Sequence, residues 1–206
     1  MRVGSAPYLS ILHFVPPFRS TQPLLLPEPA PCLLSPAMSL DIGNRLHLGD
    51  LITKDGIALN LRARNRDEAL RELIGLVPVL KERPAEQDRL FTALKDREEL
   101  CSTGVGDGVA FPHARHALVG LVDQPLIVFG RKSEGLPYAS VDGSLVTLLF
   151  LVVAPNVTLH LRVLARLSRL LRNPHIRHDL LAAESVSRIL SIIKVNEVEL
   201  DALPGG

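Results

Sequence analysis

The stretch Val146-Thr147-Leu148-Leu149-Phe150-Leu151-Val152-Val153 is aliphatic or aromatic at every position except Thr147. A run of this length, rich in β-branched and aromatic residues, is typical of a β-strand. Its apolar side chains occupy odd and even positions alike, so both faces of the strand need cover from other parts of the chain. The stretch therefore predicts the central strand of a sheet.

Weaker patterns before and after this strand predict the rest of the fold. Apolar runs and alternation predict further strands at residues 57–61, 109–111 and 126–129. Helical spacing of apolar residues predicts helices over residues 65–77, 85–100, 157–172, 174–183 and 185–194, the first of them capped by Asn65 or Asp67. We therefore expect an α/β fold in which a small mixed β-sheet is sandwiched between helices.

The composition excludes several classes of protein. Hydrophobic residues make up 47% and charged residues 22% of the 206 residues, as in an ordinary globular domain. The net charge of +1 provides no basic excess for binding nucleic acid or an anionic membrane. The longest apolar run, residues 145–154, is about half as long as a membrane-spanning helix requires. We therefore expect no nucleic-acid partner and no membrane insertion.

The two cysteines, Cys32 and Cys101, lack the spacing of a disulfide framework or a C-x-x-C motif. A chain of this kind fits a reducing compartment, which predicts a cytoplasmic protein.

Residues 1–37 differ from the rest of the chain because they hold half of its 16 prolines and very few charged residues. Proline at that density opposes both helices and central strands. His13, Pro16 and Pro17 interrupt the apolar segment that a signal peptide would need. We expect a disordered extension, or translation from a start upstream of Met38, followed by one domain at residues 38–206.

The stretch that could carry chemistry runs from residue 97 to residue 115 and contains a single histidine, His113, directly after Pro112. Glycines at 104, 106 and 108 precede it, in a segment too rich in glycine for the interior of a helix or strand. Consecutive N–H groups in such a loop can form a concavity that binds an anion. By composition alone, this pattern also fits a plain turn.

This stretch resembles the active-site motif of enzyme IIA domains of the phosphoenolpyruvate-dependent phosphotransferase system, in the mannitol/fructose and nitrogen-regulatory class. The residues that match the motif are Glu98, Val105, Gly106, Val109, Ala110, Pro112, His113 and Ala114. Phe111 departs from it, where an aliphatic residue is usual, and Cys101 stands where the family usually has a small residue. The resemblance extends over residues 46–193 and includes His160.

The resemblance implies a phosphocarrier with the fold of mannitol/fructose-type enzyme IIA. His113 would be the phosphorylated nucleophile, His160 its phosphoryl-stabilising partner, and Arg97 a residue that contacts the phosphoryl group. The groups suited to donate hydrogen bonds to phosphate are Arg97, Ser102, Thr103, and the N–H groups of Gly104 and Gly106. This scheme requires no metal and no other cofactor, and its partner is an HPr-type phosphocarrier protein.

Neutral imidazole is a nucleophile at pH 7 and also a good leaving group, so a histidine can both accept and pass on a phosphoryl group. Phosphoryl transfer depends mainly on positioning and on stabilisation of charge.

Several of these residues have other interpretations. His160, in the first turn of a predicted helix, also fits an ordinary core histidine. His116 forms an H-x-x-H pair with His113, which would suit a metal if the segment were helical, but Pro112 disfavours a helix there. Arg162, Arg166 and Arg169 recur on one helix face, either as a solvated surface or as a docking surface for an acidic partner.

Two branches of the family compete as the function. A nitrogen-regulatory enzyme IIA would act through protein contacts that depend on phosphorylation, and a sugar-specific enzyme IIA would pass its phosphate to a IIB transporter subunit. The Leu48-Gly49-Asp50-Leu51-Ile52 opening and the lack of an appended IIB or membrane part favour the regulatory branch. A non-catalytic binding module of the same fold is the third hypothesis. A metal-dependent hydrolase is the weakest, since no third ligand stands at a suitable spacing.

Overall fold

The computed structural model describes residues 46–115 and 120–202, and their side chains up to residue 199. The predicted extension at residues 1–37 and the predicted boundary at residue 38 lie outside these ranges.

A mixed five-stranded sheet forms the middle of the described part of the chain. Its strands are β1 (Ile57–Ala58), β2 (Gly104–Gly106), β3 (Val109–Ala110), β4 (Leu126–Leu136) and β5 (Val146–Val153). They lie in the order β1-β4-β5-β3-β2. The β4–β5 and β2–β3 pairs are antiparallel, whereas β1–β4 and β3–β5 are parallel. The prediction that residues 146–153 form the central strand is confirmed.

The described helices are α1 (Leu48–Leu51), α2 (Arg66–Gly75), α3 (Pro84–Leu100), α4 (Val157–Leu171), α5 (Pro174–Ala182) and α6 (Val186–Ala202). Side-chain caps define where several of them begin. Asn65 accepts a hydrogen bond from the Glu68 N–H at 2.9 Å, and Asn156 accepts one from the Leu159 N–H at 2.9 Å. Each cap satisfies an N–H group that the first helical turn leaves without a partner. Asn65, rather than Asp67, is therefore the cap of α2.

The two faces of the sheet carry separate cores. Phe129 and Phe150 pack in one core with buried residues of α4, α5 and α6. Val128 and Leu149 point to the opposite face and pack with buried residues of α2 and α3. Because neighbouring residues of a strand point to opposite faces, β4 and β5 contribute to both cores. The predicted small mixed sheet between helices is therefore confirmed.

The glycine-rich segment corrects one prediction, because residues 104–106 form a strand. β2 pairs antiparallel with β3, and the turn between them has positive φ angles of +102° at Gly106, +53° at Asp107 and +75° at Gly108. A Cβ atom at Gly104 would lie 2.9 Å from Ser140 Cα. The glycines are needed for a tight hairpin and a close backbone approach, so they do not mark an irregular loop here.

Three elements differ from their predicted boundaries by three residues or more. The strand expected at residues 57–61 is confined to Ile57–Ala58, although the Leu61 N–H still donates to the Arg131 carbonyl at 2.7 Å. β4 continues beyond residue 129 to Leu136, because it stays paired with β5 across an irregularity in register. α6 continues beyond residue 194 to Ala202, where Glu197 on its buried side binds the N–H groups of α1. Within the described ranges, no helix has the length and apolar character to cross a membrane.

Candidate functional site

His113 is held at the edge of the sheet by its backbone. It follows β3 and the buried Pro112, and it forms an isolated parallel bridge with Val152 of β5. The Val152 N–H donates to the Pro112 carbonyl at 2.9 Å. The half-buried imidazole therefore projects from a backbone segment that is fixed to the central strand.

One nitrogen of the His113 imidazole makes a hydrogen bond to the backbone. Its Nδ1 lies 2.6 Å from the Phe111 carbonyl oxygen. A carbonyl oxygen can only accept a hydrogen bond, so Nδ1 must carry the proton. In a neutral imidazole, the proton on Nδ1 leaves the lone pair on Nε2. Local hydrogen bonding thus makes Nε2 the nucleophilic atom.

His160 lies in the first turn of α4, where the cap at Asn156 starts the helix. The centroids of the His113 and His160 rings are 5.0 Å apart, and the ring planes are inclined by 53°. The fold therefore brings together two histidines that stand 47 positions apart in the sequence (160 − 113). This juxtaposition makes one site of the two predicted residues.

Both imidazoles are shifted toward their neutral forms. Burial lowers the pKa of His113, and the positive charge of Arg97 lowers it further, although the Phe111 hydrogen bond and Glu98 act in the opposite direction. Burial, together with repulsion from His113 and Arg97, lowers the pKa of His160 to about 4. At neutral pH, both rings are therefore uncharged and His113 keeps its nucleophilic lone pair.

Arg97 lies in the last turn of α3 and contacts the segment that leads to β2. Its Nη1 donates to the Cys101 carbonyl at 2.7 Å, which satisfies a backbone group just beyond the end of the helix. Its effect on the pKa of both histidines shows that its charge acts on the site. Contact between Arg97 and a phosphoryl group remains a prediction. Cys101 itself is exposed.

The other predicted donors have partners inside the protein. Ser102 Oγ donates to the Tyr138 carbonyl at 3.0 Å and accepts from the Gly104 N–H at 3.1 Å. The Gly106 N–H donates to Ser140 Oγ at 3.1 Å. The predicted row of open N–H groups is therefore not seen at Gly104 and Gly106, because two serine hydroxyls accept hydrogen bonds from them. Phosphate binding by these donors remains a prediction.

Thr103 is buried, and Glu98 occupies both of its donors. The Thr103 N–H donates to Glu98 Oε2 at 2.9 Å, and the Thr103 hydroxyl donates to Glu98 Oε1. The structure thus shows Thr103 in an internal contact, where the prediction expected an open donor.

Sequence reasoning did not anticipate the buried cluster of Glu98, Thr103 and Tyr138. The Tyr138 hydroxyl donates to Glu98 Oε1 at 2.8 Å. Burial and the neighbouring Glu98 carboxylate raise the pKa of Tyr138 well above its ordinary value. One signal was available, since Glu98 continues the inward face of α3 that begins with Leu90 and Leu94. No sequence pattern connected Tyr138 to the site.

Two alternative interpretations remain, namely the basic stripe on α4 and the pair of His113 and His116. Arg166 donates to the buried Glu197 of α6 at 2.9 Å and 3.1 Å, so part of the basic stripe holds two helices together. His116 lies outside the described residues, so the proposed pair with His113 is not tested.

The sequence and the fold are similar to those of known proteins. The family model described as "Phosphoenolpyruvate-dependent sugar phosphotransferase system, EIIA 2" matches residues 50–196. The chain is 36% identical over 158 residues to the PTS system fructose-specific EIIABC component of Bacillus subtilis (strain 168). That alignment covers 74% of this chain and 24% of the Bacillus protein, so the chain spans about a quarter of that relative's length.

Two nitrogen-regulatory proteins match over almost their whole length. The nitrogen regulatory protein of Bradyrhizobium diazoefficiens is 33% identical over 147 residues, which cover 70% of this chain and 92% of that protein. The chain is also similar to the crystal structure of nitrogen regulatory protein IIA-Ntr from Neisseria meningitidis, with 32% sequence identity and a TM-score of 0.62. This match covers 70% of this chain and 97% of that one. The family model, these relatives and the shared fold lead to one conclusion: the chain belongs to the enzyme IIA family of the phosphoenolpyruvate-dependent sugar phosphotransferase system, in the class that includes the fructose and nitrogen-regulatory proteins.

Proposed function

We propose that His113 accepts a phosphoryl group on Nε2 from the phosphohistidine of an HPr-type carrier protein. The observation that carries this proposal is the hydrogen bond from Nδ1 to the Phe111 carbonyl, which leaves the Nε2 lone pair available. This lone pair forms the new N–P bond while the N–P bond of the donor breaks, and that bonding pair returns to the donor imidazole. Nε2 carries no proton, so the step requires no base at this atom.

In this proposal, His160 and Arg97 stabilise the transferred group. The incoming phosphoryl group brings negative charge beside a neutral imidazole whose ring centroid lies 5.0 Å from that of His113. His160 can donate a hydrogen bond to a phosphoryl oxygen, and Arg97 supplies positive charge. Such groups are effective in phosphoryl transfer because the reaction depends on positioning and charge stabilisation.

The donor protein would dock on the surface around the two histidines. The elements that carry the site also present large apolar side chains to solvent, namely Leu100, Val105, Val157 and Leu161. Exposed apolar groups of this size are suited to contact with another protein. We propose that the HPr-type carrier covers these residues, and that the encounter takes place in the cytoplasm.

We further propose that the protein is a nitrogen-regulatory enzyme IIA, whose contacts with target proteins change when His113 is phosphorylated. The near-complete coverage of two nitrogen-regulatory proteins supports this branch. The alternative is a sugar-specific enzyme IIA that passes phosphate to a IIB subunit, and the 36% identity to a fructose-specific component favours it.

The phosphocarrier proposal is tested by incubating the full chain with phosphoenolpyruvate, enzyme I and an HPr-type carrier, followed by mass analysis. We expect one acid-labile, alkali-stable phosphate that is absent from His113→Ala. Labelling that survives this substitution would contradict the assignment. A chain that is never labelled would instead indicate a binding module without turnover.

The two branches are separated by adding a purified fructose-type IIB domain to the phosphorylated protein. The regulatory proposal predicts that the phosphate stays on this chain over the time in which a genuine fructose enzyme IIA discharges. Rapid discharge to IIB would favour the sugar-specific alternative.

A further inference from the structure

A buried carboxylate lies close to the site and accepts three hydrogen bonds. Glu98 is only 4% exposed, although it belongs to a residue type that is rarely buried. It accepts hydrogen bonds from the Thr103 N–H, the Thr103 hydroxyl and the Tyr138 hydroxyl. Burial of an ionisable group is costly unless such partners satisfy it, so these contacts hold Thr103 and Tyr138 in fixed positions around the carboxylate.

A continuous series of contacts leads from Glu98 to the reactive imidazole. Glu98 fixes the Thr103 N–H at 2.9 Å, and the Thr103 carbonyl accepts from the Phe111 N–H at 3.0 Å. The Phe111 carbonyl then lies 2.6 Å from His113 Nδ1. The last contact determines which nitrogen of His113 carries the proton. A displacement of Thr103 would therefore move the group that sets the tautomer and orientation of the nucleophile.

We infer that Glu98 is a positioning residue for phosphoryl transfer, which acts through Thr103 and Phe111 to hold His113 in its reactive tautomer and orientation. The inference rests on the proposed phosphorylation of His113. Glu98 is buried and does not face the incoming carrier, so its effect belongs to the transfer step and not to carrier binding.

Two substitutions of Glu98 distinguish a role in positioning Thr103 from a role of the negative charge. Glu98→Gln keeps the length of the side chain and an oxygen that accepts from the Thr103 N–H, while its amide N–H groups can donate to the two hydroxyls once these rotate. Glu98→Asp keeps the charge, but it is one methylene shorter and cannot reach all of the same partners. A positioning role predicts that Gln preserves the transfer rate better than Asp. A purely electrostatic role predicts the reverse order.

The test measures initial rates of labelling over a range of HPr-type carrier concentrations, at equal folded fraction of each variant. We expect Glu98→Asp to lower kcat by about 10-fold with little change in KM, because a displacement of about 1 Å can cost up to roughly 100-fold in rate. Glu98→Gln should stay within about 2-fold of the unsubstituted protein, since its contacts are replaced. The neighbouring Glu99 is exposed, and Glu99→Asp and Glu99→Gln serve as matched controls that should change neither constant.

A second readout is the tautomer of His113, measured from its imidazole nitrogen-15 shifts. The unsubstituted protein and Glu98→Gln should show Nδ1–H, and Glu98→Asp should show a mixture. The inference is overturned if Asp outperforms Gln, if neither variant changes kcat or the tautomer, or if the unsubstituted protein has Nε2–H. Should Glu98→Asp fail to fold, Thr103→Val takes its place, because it removes the hydroxyl that donates to Glu98; it should show a mixture of tautomers, and an unchanged Nδ1–H tautomer in that variant overturns the inference. If the unsubstituted protein takes no phosphate, the proposed function fails, while the tautomer comparison still tests Glu98.

Discussion

The nitrogen atoms of His113 differ because of a single backbone contact. The Phe111 carbonyl accepts a hydrogen bond from Nδ1, and burial lowers the pKa of the ring. Nε2 therefore presents a lone pair at neutral pH. His160 complements it as a neutral partner with a pKa near 4. At the scale of the residue, hydrogen bonding and solvation support the different roles that we propose for the two histidines.

Substitutions at His160 should show that it assists transfer and does not receive the phosphate. His160→Ala removes the donor and should slow labelling of His113 by about 10–100-fold, as expected from a charge-assisted hydrogen bond of roughly 1.5–3 kcal/mol. His160→Gln keeps a donor of similar reach and should slow it less. Stopped-flow or quenched labelling at equal folded fraction measures both rates. Complete loss of labelling in His160→Gln, together with its retention in His113→Gln, would reverse the two roles.

At the scale of the element, the β2–β3 hairpin places the site beside the sheet. Its turn residues Gly106, Asp107 and Gly108 all have positive φ. Asp107 ties this turn to the rest of the fold, because its carboxylate pairs with Arg177 at 3.1 Å and its N–H donates to Asp142 at 2.9 Å. The strand that leaves this turn leads directly to Pro112 and His113, so the hairpin geometry fixes the position of His113.

Adding a methyl group at Gly104 should therefore disturb the hairpin. The new Cβ would lie 2.9 Å from the Ser140 backbone, which cannot give way as a flexible side chain can. We expect Gly104→Ala to lower the free energy of unfolding by about 1–3 kcal/mol, the usual cost of overpacking. Urea denaturation measures the change. Gly75→Ala is the matched control, since a Cβ atom there meets nothing within 4 Å, and it should be neutral or stabilise by up to about 1 kcal/mol. Equal stability of the two variants would refute this role of Gly104.

These elements also show how far the sequence could predict the structure. Residues 146–153 were recognisable as the central strand because their apolar pattern reports burial on both faces. The glycine-rich strand was missed because a glycine that permits close packing has the same local signature as one in a loop. His113 and His160 were predicted through the family resemblance, whereas Tyr138 joins Glu98 only through the fold, 40 positions away. Contacts of that separation leave no local pattern to read.

At the scale of the whole molecule, the site should make stability depend on pH. The pKa of His160 is about 4 in the folded protein, against an ordinary value of 6.5. Between these values, the unfolded chain binds a proton that the folded protein does not. The free energy of unfolding should therefore fall as the pH decreases from 6.5 toward 4. The stability that depends on a neutral His160 is fully present only above pH 6.5.

His160→Gln removes this contribution, so the variant should lose less stability than the unsubstituted protein over the same interval. Urea denaturation of both proteins at pH 7 and pH 5 measures how much stability each one loses. Groups that titrate alike in both proteins cancel when the two losses are compared. An equally steep loss in the variant would show that His160 is not held neutral by the fold.

The most direct test of the account is to locate the phosphate on the labelled protein. The full chain, with nitrogen-15 in its histidines, is phosphorylated by phosphoenolpyruvate, enzyme I and an HPr-type carrier, and the phosphorus–nitrogen coupling identifies the bonded nitrogen. We expect a single phosphate on Nε2 of His113, with the proton still on Nδ1. A phosphate on Nδ1 of His113 or on His160 would contradict it.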